Sequence, residues 1–82
     1  MTGLAADIVG LIGTALFIGA FAYANAAERL DKLWFNFANL VGAVLLLISL
    51  TVKFNLAAFV LECAWAVIAL FGLVRALRER GK

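Results

Sequence analysis

Glu62 stands where its chemistry and its surroundings disagree most. It lies six residues into the apolar run that begins at Leu56, roughly 9 Å inside a helix rising 1.5 Å per residue. A charge at the centre of a membrane-spanning helix costs roughly 2.5–3.5 kcal/mol on insertion scales, so such residues face protein or a wet cavity. Helical spacing from Glu62 reaches Ala58, Trp65, Ala66 and Ala69, a stripe of small residues with one indole beside the carboxyl. Two chemistries fit: a proton-coupling or substrate-binding carboxyl, and a structural carboxyl hydrogen-bonded to a neighbouring helix. Ser49, at similar depth on another span, and Asp7 and Lys53, near the same membrane face, are the partners within reach.

A second polar stripe follows Asn39, Gly42, Leu46 and Ser49 at helical spacing, with Asn36 and Ala43 at its margin. Asn25 ends the first apolar run on the side from which Asn36 and Asn39 enter, so three side-chain amides gather near one membrane face. Buried amides need partners; bonding between helices and contact with a polar substrate both supply them. The Trp65 indole N–H, deep in its span, also wants an acceptor. Cys63 points off the Glu62 face and packs as a small apolar residue. Ala38 with Gly42, Ala6 with Gly10 and Thr14, Ala15 with Gly19, and the Gly10 and Gly13 pair are small-residue surfaces on which helices approach closely.

The elements that position these residues follow from the bulk of the chain. Of its 82 residues 67% are hydrophobic and 15% charged, with a mean hydropathy of +1.12. A chain of this size folding in water needs polar residues to cover its surface, so the bilayer is the solvent. A hydrocarbon core of ~30 Å asks for about 20 apolar residues per crossing. Three such runs occur, at about 4–24, 33–52 and 56–75, and together they make one three-helix transmembrane domain over 1–82. Each run is about twice the length of a membrane strand and shows no apolar/polar alternation, which selects helices. Tyr23, Trp34 and Phe35 mark one interface, and Phe54 and Phe59 the other. The first run has Asp7 and no basic residue before Arg29, unlike the basic start of a cleaved signal peptide.

Charge sets the orientation. With three spans, Arg29, Lys32, Arg75, Arg78, Arg80 and Lys82 share one side and Lys53 has the other, so the N-terminus is expected outside and the C-terminus in the cytoplasm. The basic tail reads as a headgroup contact; it lacks a fold that presents nucleic-acid bases. With no histidine and one cysteine, the chain has no Cys or His metal site, no disulfide and no Ser-His or Cys-His nucleophile pair. No enzyme activity and no cofactor are expected.

The stretch Asn39-Leu40-Val41-Gly42-Ala43, with Ser49, Phe54-Asn55, Phe59-x-Leu61-Glu62-x-x-Trp65 and Gly72-Leu73-Val74-Arg75, resembles an uncharacterised family of small bacterial inner-membrane proteins, sometimes labelled permeases or transporters. Gly10-x-x-Gly13 and Phe21 to Tyr23 look like that family's opening. The family is similar in size and span count to PQ-loop half-transporters, three-helix units that pair into a six-helix sugar carrier. That kinship implies a homodimer with a central path, and this chain departs from it in having no Pro-Gln pair and no proline. Two functions follow as expectations. One is an oligomeric transport unit in which Glu62 titrates and Asn36 and Asn39 contact substrate, with Ser49 and Trp65 as further contacts. The other is an accessory or assembly subunit that docks on a larger membrane complex through the stripes of Gly10, Gly13, Ala38, Gly42, Ala58, Ala66 and Ala69.

Overall fold

A computed structural model describes residues 1–80, as three helices: α1 (Gly3–Ala26), α2 (Lys32–Leu50) and α3 (Leu56–Arg80). All three are long and apolar enough to cross a membrane. The long axis of 44 Å matches a bilayer of ~40–45 Å including its headgroup layers. Lys82, counted above for orientation, lies outside the described residues.

Each helix start is fixed by a side chain that satisfies an otherwise orphaned N–H. Thr2 Oγ1 accepts from Ala5 N at 3.1 Å, Asp31 Oδ1 from Leu33 N at 3.1 Å, and Asn55 Oδ1 from Ala58 N at 3.0 Å. The helices differ from their expected bounds mainly at the end of α3, which runs through Arg80 and not to about residue 75. Val74 to Arg80 contains neither glycine nor proline, and Arg78 and Arg80 in the last turn complement the helix dipole. α2 ends at Leu50, before the expected 52, where Thr51 N turns back to the Ile48 carbonyl.

α2 is the central helix. α1 and α3 each pack along it, and their backbones do not approach one another. The flanking helices use one device, a buried small or short position every seven residues, nearly two full turns. On α1 these are Ala6, Gly13 and Ala20; on α3 they are Glu62, Ala69 and Ala76. α2 answers with Asn39, Gly42 and Ala43. The apolar core is therefore made of alanines, and among the described residues no large side chain is fully buried. Large apolar side chains point outward instead, with Leu11 at 67% and Phe71 at 72% exposure. That inversion suits lipid, where backbones gain by close approach and side chains lose nothing by facing acyl chains.

The backbones of α1 and α2 approach closely at Gly13 and Gly42. A Cβ added to Gly13 would lie 2.9 Å from the Gly42 carbonyl oxygen, and one added to Gly42 would lie 3.1 Å from the Gly13 carbonyl oxygen. At Gly13 the nearest obstacle is backbone; at Gly42 it is the Phe17 ring, 2.7 Å from the added Cβ, with the Gly13 carbonyl beyond it.

Candidate functional site

The polar groups inside the bundle form three sets, each tying helices together at a different depth. At the end holding the N-terminus, Ser49 Oγ donates to the Ala6 carbonyl oxygen at 2.8 Å, joining α2 to α1. Lys53 in the α2–α3 turn reaches Asp7 at 3.1 Å, an ion pair between half-exposed side chains. Both groups thus engage α1, and neither pairs with Glu62.

In the middle, Trp65 Nε1 donates to Asn39 Oδ1 at 3.0 Å and clasps α3 to α2. The Asn39 amide is oriented for this by its own helix, since Nδ2 donates to the Phe35 carbonyl at 2.8 Å. Asn36 and Asn25 repeat the pattern, donating to the carbonyls of Lys32 and Phe21 at 2.8 Å. Each amide has one donor bound to the preceding turn and its oxygen left to face elsewhere. The Asn36 amide lies against Gly72, and any Cβ at that position would collide with it. The Phe17 ring packs on Trp65 with centroids 5.7 Å apart, the side-chain bridge between α1 and α3.

At the third depth, Asp31 is a hub that the sequence reading did not single out. Its carboxylate caps α2, its backbone N–H donates to the Tyr23 hydroxyl at 2.7 Å, and its Oδ2 accepts from Arg80 Nη2 at 2.7 Å. One residue thereby touches the ends of all three helices. An acidic residue just before an apolar run is a helix-start signal and marks Asp31 as a cap. Its partners, eight and 49 positions away, have no local signature.

Glu62 is 8% exposed, and its Oε2 is buried with no hydrogen-bond partner among the described residues. Around it Ala58 and Ala66 are half-buried, Ala69 is buried and Cys63 is half-buried, whereas Trp65, expected on the same stripe, is 43% exposed. Gly10 and Gly13 meet α2, a Cβ on Gly10 falling 2.8 Å from Ser49 Oγ. Gly19 faces open space and lines, with Ala15 and Ala38, a shallow groove on the α1–α2 flank.

The gap left between α1 and α3 is a lateral cleft of about 760 Å³. Its walls carry Phe17, Phe21, Phe35 and Trp65, and its polar groups are Asn25 and Asn39. Such a cleft can seat an apolar body and orient it against an amide. A family model matches residues 6–80, and the chain belongs to that family, a small and uncharacterised one. No curated protein and no solved structure matches the chain.

Proposed function

We propose that this member of a small uncharacterised family is a non-catalytic, multi-pass subunit that assembles with another membrane protein through the cleft between α1 and α3. The supporting observation is the arrangement itself: the small positions Ala6, Gly13, Ala20, Ala69 and Ala76 are buried inside the chain, and the α1–α3 gap is left open with four aromatic rings on its walls. A helix of a partner chain fits such a gap, because in lipid association depends on close packing and on interhelical hydrogen bonds. Asn39 keeps one amide N–H beyond those used. Glu62 supports the same reading, its carboxyl being packed within the bundle at 8% exposure.

The charge distribution supports an orientation with the N-terminus outside and the C-terminus in the cytoplasm, because six of the seven basic residues share one side; a bacterial inner membrane rests on the family resemblance alone. Extraction in a mild detergent followed by mass spectrometry tests assembly. A distinct second polypeptide in constant ratio is expected; a lone 8.8 kDa species or a simple homodimer counts against it.

A second reading, an oligomeric permease-like unit similar to half-transporters, is favoured by one observation: the orphaned Glu62 Oε2. A buried acceptor without a partner costs about 1–3 kcal/mol, and functional sites are where such costs are retained. Proteoliposome uptake with Glu62→Gln separates the two readings. A carrier loses coupled uptake in the variant, whereas an assembly subunit shows no difference between variant and parent.

A further inference from the structure

The Asp31 end of the bundle holds a second cavity, of about 390 Å³, between the α1–α2 connector and the last turns of α3. Its floor is apolar, with Leu33 and Ala76, and its rim carries Arg29, Lys32 and Arg80. The charges on this rim are not equivalent. Arg80 is neutralised by Asp31 at 2.7 Å, and Glu79, the other acid there, is engaged by Arg75 at 3.5 Å. Arg29 and Lys32 are exposed and take part in no ion pair among the described residues. The cavity thus presents two uncompensated cations above an apolar floor, at the end of three membrane-spanning helices, where lipid headgroups lie.

We infer that this cavity binds an anionic glycerophospholipid, with its phosphate between Arg29 and Lys32 and the upper part of an acyl chain over Leu33 and Ala76. Both halves of the site point to a lipid and not to a free anion. Phosphate alone satisfies the cations and leaves the apolar floor wet, whereas a phospholipid is charged at the rim and apolar one step deeper. Basic pockets between membrane helices bind acidic headgroups by this combination. Arg80 supports the site indirectly: held by Asp31, which also caps α2 and binds Tyr23, it fixes the α3 wall against the connector. The inference stands independently of what occupies the α1–α3 cleft.

The test is native mass spectrometry of the full chain in a mild detergent, titrated with phosphatidylglycerol or phosphatidylcholine of identical acyl chains. Each basic residue near an anionic surface is worth about fivefold in affinity. Phosphatidylglycerol is therefore expected to be retained on the order of tenfold or more over phosphatidylcholine, and Arg29→Gln with Lys32→Gln is expected to abolish the preference. Arg78→Gln, a basic residue at the same end that does not line the cavity, is the control and should leave the preference intact. Helix content by circular dichroism confirms that each variant is folded. Equal retention of the two lipids overturns the inference. An equal loss in Arg78→Gln also overturns it, by showing diffuse attraction and no site. Displacement of phosphatidylglycerol by inorganic phosphate at comparable concentration would show that the cavity takes a free anion.

Discussion

Gly13 and Gly19 lie six residues apart on the same helix, and alanine should have opposite consequences at the two. At Gly13 an added Cβ falls 2.9 Å from the Gly42 carbonyl oxygen, 3.1 Å from Leu46 Cγ and 3.2 Å from Leu45 Cβ. The leucines can rotate away, but the carbonyl belongs to the α2 backbone. Ordinary contact begins near 3.4 Å, so α1 must back off by about 0.5 Å at this contact. A displacement of that size forfeits roughly a quarter of the dispersion attraction along the contact, and overpacking of this kind costs about 1–3 kcal/mol. At Gly19 nothing lies within 4 Å, and alanine is the better helix former by up to about 1 kcal/mol. The assay is reversible unfolding in mixed dodecyl maltoside and sodium dodecyl sulfate micelles, followed by Trp65 fluorescence in a Trp34→Phe background. Gly13→Ala should shift the folding equilibrium by roughly five- to a hundredfold towards the unfolded form, and Gly19→Ala should leave it unchanged or slightly favoured. Equal effects of the two substitutions would refute a backbone-to-backbone contact at Gly13.

The same unfolding assay checks further expectations. Asn39→Ala and Trp65→Phe, with near-ultraviolet circular dichroism replacing fluorescence for the latter, should each destabilise, with a coupling of about 0.6–1.7 kcal/mol between them; strict additivity in the double variant would mean that the 3.0 Å bond carries nothing. Asp31→Ala removes a helix cap worth about 1 kcal/mol together with an ion pair worth less than that at its exposure, so it should cost more than Arg80→Gln, and the reverse order contradicts the hub. Glu62→Met replaces the orphaned carboxyl with an apolar side chain of similar length and should raise stability by about 1 kcal/mol; a loss would mean that Glu62 has a partner in the folded protein. Gly72→Ala pushes aside only the end of the Asn36 side chain, so it should cost less than Gly13→Ala, and Asn36→Ala in the same chain should remove the remaining cost; a loss as large as that of Gly13→Ala would mean that the amide cannot move.

The spans and the faces on them were legible in the sequence because both depend on local periodicity. Apolar length gave three helices long enough to cross, and helical spacing placed Ala58, Ala66 and Ala69 with Glu62 on a face that is at least half-buried except at Trp65. What periodicity does not give is the azimuth of one helix around another. Ser49 lies one residue from the end of α2 while Glu62 lies six residues into α3, so the similar depth expected of them is not met, and Ser49 also lies about 80° around α2 from Asn39 at 100° per residue. Asn39 therefore meets Trp65 on α3 while Ser49 meets Ala6 on α1. The same limit hid the contact of the Asn36 amide with Gly72 and the central position of α2. Asp31 was readable as a cap but not as a hub, because Arg80 became available only once α3 continued past residue 75.

The assembly role is tested most directly by photo-crosslinking in native membranes, with a benzophenone amino acid placed at Phe21, on the wall of the open cleft, and, separately, at Leu70 on α3, a comparably exposed side chain that does not line the cleft. The expected result is a discrete adduct to one other membrane polypeptide from position 21 and none from position 70. Adducts from both positions alike, or a product from position 21 no heavier than two copies of this chain, would contradict a cleft that receives a partner helix.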